Sequence, residues 1–277
     1  MTTNILITGA SGFIGSQTAQ RLEQLSPKTN ITRLSRRPRN EQGWTYGDFA
    51  EPSSLADAFK NQDVVFLVST TERADREQLH RNAVDAAVTA GVRHIVYLSF
   101  FGAAADATFD HARLHFATEQ YIRESGIDFT FLRDNFYTEA TEGFIVDGAI
   151  RGPAGSGKAA FVAREDVAES AAAVLSCSEE HRNKVYSLTG PEALSLEEVA
   201  AIATDHLDES VRFVDETLQE ARASRAHYGA PEWEVDAWIS TYTAIAKGEL
   251  EQVTDDVEKL TGHKPMSVQQ WWGKRHH

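Results

Sequence analysis

Thr8-Gly9-Ala10-Ser11-Gly12-Phe13-Ile14-Gly15 is the stretch from which this chain is best read. It follows a short apolar run, Ile5-Leu6-Ile7, and opens a segment of mixed polarity that runs to Leu25. A strand, a tight glycine turn and a helix start, in that order, are what a bound pyrophosphate requires. Gly9 lets the chain turn sharply off the strand. Gly12 lets the backbone approach phosphate oxygens with no side chain between, and Gly15 lets the helix pack close to the sheet. The helix start offers N–H groups and a partial positive charge to the anion. The spacing is G-x-x-G-x-x-G, one residue off the G-x-G-x-x-G fingerprint; its place between strand and helix gives it weight. A glycine turn that holds no ligand is the plain alternative.

Beyond the first helix, Ile31-Thr32-Arg33-Leu34-Ser35 reads as a second strand ending in Arg36-Arg37-Pro38-Arg39. An acid at that strand end would hold the ribose 2′-hydroxyl of NAD. Here the position is basic, and no acid appears before Glu41. A guanidinium matches the oxygens of a 2′-phosphate and keeps its charge. The cofactor expected is therefore NADP, with NADPH preferred over NADH, and Arg36 is the residue nearest the strand end. A solvated basic loop is the other reading.

Thr45-Tyr46-Gly47-Asp48 ends a third strand, and Pro52-Ser53-Ser54 starts a helix. Asp48 has two readings: an acceptor for the adenine amino group, or the cap of a turn. Asp63 to Val68 is a continuous apolar strand of the kind covered on both faces. It ends at Ser69-Thr70-Thr71, small residues that leave room for a ligand. A helix over Ala74 to Ala90 is stopped by Gly91. Further strands are expected at His94 to Leu98, ending at Ser99, and at Ile127 to Leu132, ending at Arg133. A helix at Leu114 to Ser125 lies between them.

Strands alternating with helices predict an α/β fold, a doubly wound parallel sheet of the Rossmann type. Ligands of such sheets bind beyond the carboxyl ends of the strands. Gly9, Arg36, Asp48, Ser69, Ser99 and Arg133 all fall on that edge. Cofactor contacts are expected from Gly9, Ala10, Ser11, Gly12, Phe13, Ile14, Arg36, Asp48, Val68, Ser69 and Thr70. From Asp134 the pattern changes to a glycine-rich stretch and then mostly helices. Ser195 and Glu198 form a capping box opening a helix to His206. The expected division is a nucleotide-binding domain, 1–133 plus about 158–190. A smaller, mainly helical substrate domain takes about 134–157 plus 191–277. Lys184 to Leu188 is a strand that would extend the main sheet. Trp238 and Tyr242, four apart, share a helix face and read more as core than as pocket. Trp271-Trp272 reads as an anchor for the end of the chain.

The net charge of −14 argues against nucleic acid and anionic membranes as partners. The single cysteine, Cys177, excludes an internal disulfide and fits a reducing compartment. No apolar run approaches the ~20 residues of a membrane span, and no leader-like segment opens the sequence. The expectation is a cytoplasmic monomer or homodimer.

The glycine triplet, the basic second strand end and Ser69-Thr70-Thr71 resemble the atypical short-chain dehydrogenase/reductase superfamily. Within it the chain is similar to the NmrA-like branch, in particular the quinone oxidoreductase type 2 and triphenylmethane reductase group. The residues that carry this are His80-Arg81-Asn82 with Ala86-Ala87, Gly91 to Ile95, Thr118-Glu119, Leu132 to Glu139, Lys184-Val185-Tyr186, and Thr261 to Pro265. The resemblance spans nearly the whole chain. It implies NADPH binding and two-electron reduction of a small aromatic or quinonoid acceptor, with Asn135, Phe136 and Tyr137 facing the substrate. One departure is Glu139-Ala140, where the family segment usually reads Glu-Asn.

The superfamily's Tyr-x-x-x-Lys pair, which delivers a proton to the forming alkoxide, has no match. Counting back from Glu119, His115 stands where the lysine would be and His111 where the tyrosine would be. The candidate catalytic residues are therefore His111 and His115, with Ser99, which stands at the superfamily's serine or threonine position and could bond an acceptor oxygen or merely end its strand. His115 reads as a ribose or substrate contact, and His111 as a surface or helix-start histidine or an acid. A metal site on His111 and His115 lacks a third ligand, so no metal is expected. Quinones and cationic dyes accept a hydride readily and need little help with the proton. Two other functions remain open: an NADP(H)-sensing regulator without turnover and, less well supported because the tyrosine is missing, an epimerase of nucleotide-linked sugars.

Overall fold

The computed structural model describes residues 2–71 and 73–276. In chain order the first elements are β1 (Asn4–Ile7), α1 (Phe13–Leu25), β2 (Asn30–Ser35), β3 (Trp44–Tyr46), α2 (Pro52–Phe59) and β4 (Val64–Leu67). Then come α3 (Arg76–Thr89), β5 (His94–Phe100), α4 (Asp110–Glu124), β6 (Asp128–Asp134), α5 (Ala140–Gly143), β7 (Ile145–Val146), β8 (Ala149–Gly152) and β9 (Lys158–Ala159). The rest are α6 (Arg164–Ser176), β10 (Lys184–Leu188), β11 (Leu194–Ser195), α7 (Leu196–His206), β12 (Arg212–Asp215), α8 (Leu218–Arg225), α9 (Glu232–Ala246), α10 (Asp256–Thr261) and α11 (Val268–Arg275).

Seven strands form one sheet in the order β10-β6-β5-β4-β1-β2-β3. β1 pairs in parallel with β2 on one side and β4 on the other, so the order reverses at β1. β10 also runs parallel: Asn183 N–H reaches Phe129 O, and further along Asn135 N–H reaches Leu188 O. Ile5, Leu6 and Ile7 are all fully buried. Side chains alternate along a strand, so burial of three in a row means both faces are covered. Leu6 packs with Leu55, Phe59, Leu79 and Val84 of α2 and α3. Elsewhere in this unit Thr18 of α1 donates to Ala168 O of α6.

The chain divides into one unit of Met1–Ser99, Leu114–Arg133 and Val167–Tyr186, and another of Phe100–Arg113, Asp134–Asp166 and Ser187–His277. This differs from the expected division in three segments. Residues 100–113, 158–166 and 187–190 belong to the second unit. The reason is apolar: Phe100, Phe101, Phe109, Ala159 and Phe161 are buried in its core with Leu196, Val199, Ile245 and Trp272. That unit holds a small sheet in the order β12-β8-β7 and the pair β11-β9. The strand expected over Lys158 to Ala163 is only two residues long. The capping box at Ser195 is present, with Glu198 N–H donating to Ser195 Oγ and Ser195 N–H to Glu198 Oε2. Trp272 is fully buried, and its Nε1–H donates to Thr141 Oγ1 at 3.1 Å, so the final helix is anchored.

The tightest backbone approach in the first unit's glycine turn is at Gly15. A Cβ there would lie 2.5 Å from Gly9 O and 2.7 Å from Gly9 C. Backbone cannot retreat as a side-chain tip can, so Gly15→Ala should lower stability by about 1–3 kcal/mol. Its better helix propensity, at most ~1 kcal/mol, would not offset that. The urea unfolding midpoint reads it; an unchanged midpoint would show that α1 can move off the turn.

Candidate active site

A cavity of about 270 Å³ lies along the carboxyl edge of β1, β2 and β4. Gly9, at φ +60, makes the turn off β1. Gly12 caps α1 with its backbone alone: no side chain bonds the helix start, and no acid stands in its first turn. The positive pole of α1 thus meets no carboxylate of its own first turn. Gly12 itself has φ −86 and ψ 171, extended backbone open to any residue. A Cβ there would meet only Gly9 O, at 3.3 Å, and would project from a wall of the cavity. The fold demands glycine at 9 and 15, and at 12 the demand comes mainly from the space in front of it. That space suits a diphosphate.

Of the expected cofactor contacts, Gly9, Ser11, Gly12, Arg36, Asp48, Val68, Ser69 and Thr70 line this cavity. Ala10, Phe13 and Ile14 are not among its lining residues: Ala10 and Ile14 are buried, and Phe13 is largely exposed. The arginines near the end of β2 sort themselves by contact. Arg33 pairs with Glu23, and Arg39 lies over the Trp44 ring at 4.1 Å and 3.9 Å from Glu41. Arg36 lines the cavity. Asp48 combines its two readings: Oδ1 accepts from Ala50 N–H at 2.9 Å, closing a turn, while the residue also lines the cavity. Arg73 lines it as well, held by both carboxylate oxygens of Asp75 at 2.7 Å. Nothing in its sequence context singled it out.

Behind Ser69 and Thr70 lies a buried hydrogen-bond network that sequence spacing does not show. Thr70 N–H donates to His80 Nε2 at 3.1 Å. That nitrogen is therefore an acceptor, and Nδ1–H donates to Thr118 Oγ1 at 3.0 Å. Arg76 Nη2 has only hydrogens to offer, so His115 Nε2 accepts from it at 2.8 Å. His115 Nδ1–H then donates to the Tyr97 hydroxyl at 2.9 Å. Ser69 Oγ donates to Leu98 O at 2.8 Å and approaches the Tyr97 hydroxyl at 3.4 Å. Burial and the nearby Arg76 guanidinium push the His80 imidazole down to about 3. Burial drives the Tyr97 phenol up to about 12. Arg76 is 5% exposed, and among the described ion pairs none involves it.

The candidate catalytic residues sit differently from expectation. Ser99 is fully buried, and its hydroxyl donates to Glu119 Oε1 at 2.6 Å. Glu119, also fully buried, takes a two-pronged contact from Arg133 at 2.8 and 2.6 Å. Ser99 thus ties β5 to α4 rather than presenting its hydroxyl to an acceptor. α4 begins at Asp110, four residues earlier than expected, which puts His111 on the helix. His111 stands in the first turn of α4, as its helix-start reading has it, and is buried with its ring edge-on to Phe109 rather than on the surface. His115 is also buried, and its two nitrogens face Tyr97 and Arg76. The family-type carboxamide Asn135 spends its side chain internally, on Leu250 O at 2.9 Å and Phe136 N–H at 2.8 Å. Tyr137 donates to Asp134, and burial with that carboxylate raises the phenol well above its usual range. Phe136 remains half-buried against Phe100 and Phe109, with ring centres 5.1 Å apart in each case.

A family model described as NAD(P)H-binding matches residues 9–178. The NAD(P)H azoreductase of Xenophilus azovorans is 33% identical over 267 residues, 93% of either chain. This chain belongs to the NAD(P)H-binding family. The crystal structure of the Escherichia coli NADPH-dependent quinone oxidoreductase with NADPH superposes with a TM-score of 0.90 at 28% identity, over 99% of this chain and 100% of that one. The Citrobacter sp. triphenylmethane reductase with NADP(H) gives 0.85 at 30% identity, over 99% and 100%. The family setting fits the chemistry of the cavity: a glycine turn, a helix N-terminus and a guanidinium are groups that suit a nucleotide's phosphates. It also sharpens the missing proton donor. On α4 the chain carries two buried histidines, His111 and His115, and the nearest phenol, that of Tyr97, comes from β5.

His80 also ties stability to pH. Its folded value, about 3, is below the ordinary 6.5, so the unfolded chain takes up the proton first. Its contribution is complete above about pH 6.5 and is lost as pH falls toward 3. Unfolding free energy should therefore drop between pH 7 and 5, and drop less in His80→Gln. Equal drops in the two proteins would show that His80 is not held neutral.

Proposed function

We propose that this chain is an NADPH-dependent reductase that delivers hydride to a quinone or a similar conjugated aromatic acceptor, without a Tyr-Lys pair. The observation that carries it is the single cavity joining the Gly9–Gly12 turn to Arg36 at the end of β2. Bound NADPH supplies the hydride. The turn and the α1 pole hold its diphosphate, and Arg36 holds the 2′-phosphate as a charged fork. Ser69 and Thr70, fixed from behind by Leu98 O and His80, form a stiff wall. Stiffness matters because placement is what such a reaction needs most.

The acceptor class follows from what α4 and β5 withhold. The Tyr97 phenol is raised and buried, and the His115 Nε2 is occupied by Arg76. None of these groups is poised to hand a proton to an alkoxide. An acceptor whose reduced form is a stabilised phenolate or a neutral leuco dye has no such requirement. The azo, quinone and dye reductases among its relatives support this reading.

NADPH oxidation, followed by absorbance against a panel of quinones and triphenylmethane dyes, tests it. Turnover on at least one acceptor is expected. Tight NADPH binding with no turnover anywhere would instead favour a nucleotide-sensing regulator.

Two substitutions test the cofactor assignment. Arg36→Ala should weaken NADPH by about 1.5–3 kcal/mol and leave NADH nearly untouched, since only NADPH loses a charged contact. Equal loss for both would remove Arg36 from its role. Gly12→Val should abolish nucleotide binding while the thermal melt stays close to that of the parent, and retained affinity would count against the phosphate turn.

A further inference from the structure

The second unit contains a cavity of its own, about 520 Å³, with every lining residue from that unit. This is within the roughly 300–1,000 Å³ typical of small-molecule sites. Its walls are aromatic. Phe144 and Tyr242 stand with ring centres 5.8 Å apart, and Tyr228 meets Trp238 edge-on at 5.7 Å. Trp238 and Tyr242, read from the sequence mainly as core, both line it. Tyr242 is 7% exposed, yet Tyr228 is 53% exposed, so apolar ring surface faces open space. α9 presents its other face elsewhere: Ser240 accepts from Asp110 N–H at 3.1 Å.

Two guanidinium groups and one carboxylate line the cavity. Arg225, over the Tyr242 ring, is already committed to Glu216 at 3.1 Å and to Arg151 O at 2.8 Å. Arg151, half-buried on β8, lines the cavity, and among the described ion pairs none involves it. The opposing acid is Asp147, exposed at the β7–β8 turn with φ +50. Aromatic walls favour a flat ring that can stack, and a half-desolvated guanidinium favours an anion on its rim.

We propose that this cavity is a binding site for a planar aromatic anion, an aryl sulfonate or carboxylate, held by Arg151 and the Phe144, Tyr228, Trp238 and Tyr242 rings. It needs no nucleotide, and it stands whether or not the chain turns over NADPH.

Calorimetric titration of the nucleotide-free protein with 2-naphthalenesulfonate, and with neutral 2-naphthol as its comparison, tests this. One-to-one saturable binding of the sulfonate is expected, at least about tenfold tighter than the naphthol, as a charged contact implies. Arg151→Gln should erase that preference, and Arg151→Lys should keep part of it. Asp147→Asn should tighten the sulfonate a few-fold; asparagine tolerates the left-handed backbone there, so the turn survives. Trp238→Ala should weaken both ligands. Gly12→Val should change neither, which separates this site from the nucleotide cavity. No heat of binding at millimolar ligand, equal affinity for sulfonate and naphthol, or a sulfonate affinity indifferent to both Arg151→Gln and Asp147→Asn would overturn the proposal.

Discussion

The first unit depends on one close approach: the first turn of α1 lies against the carbonyl of Gly9. A methyl group at Gly15 has no room there, and Gly9 itself needs φ +60. That contact fixes where the helix pole points. Strand register does the rest. Ile7 pairs with Arg33 on one side and Phe66 on the other. Two or three residues further along each chain come Gly9, then Ser35 and Arg36, then Val68 and Ser69. All of them line one cavity. Val68 closes over the turn so tightly that a Cβ on Gly9 would lie 3.0 Å from it. The positions of glycine turn, guanidinium and small-residue wall are therefore consequences of one packing constraint carried through hydrogen-bonded registers.

Electrostatics along this edge are arranged to be quiet. The fully buried Glu119 would be costly alone, and it is matched by Arg133 and Ser99. Burial keeps His80 neutral, and it serves as an acceptor for a backbone amide of the cavity wall. Arg76 is the exception, a buried cation whose described partner is an imidazole rather than a carboxylate. Its field works against a proton on His80 and works for an anion nearby. An edge so built favours reactions in which negative charge appears and no proton must arrive at once.

Much of this was legible in the sequence, because it is written in local signals. The apolar runs, the stop at Gly91, the Ser195–Glu198 box and the basic end of β2 each act within a few residues. Six strands of the sheet followed from their alternation, and the seventh, Lys184 to Leu188, from its reading as an extension of it. Non-local choices were hidden. Tyr97, His115 and Arg76 come from three different elements, and no spacing rule connects them. Residues 100–113 continue directly from β5, yet their phenylalanines bury in the second unit. The β7–β8 hairpin lay concealed in a glycine-rich stretch, where Gly148 at φ +65 and Asp147 at φ +50 make the turn. The face shared by Trp238 and Tyr242 was visible, but the cavity beside it was not, since helical spacing places side chains on a face and cannot say what is missing opposite.

The glycine triplet shows how structure refines a motif. Read as a pattern, its three members carry equal weight. In the fold, Gly9 is required by backbone angle and Gly15 by backbone contact, whereas Gly12 meets neither requirement fully. A side chain at 12 costs the protein little more than a small shift against Gly9 O, and costs a ligand its place. Two glycines therefore report on how the turn is built, and one reports on what the turn is for. The same division applies to the charges: Arg33 and Arg39 are spent on the protein's own groups, and Arg36 is left facing the cavity.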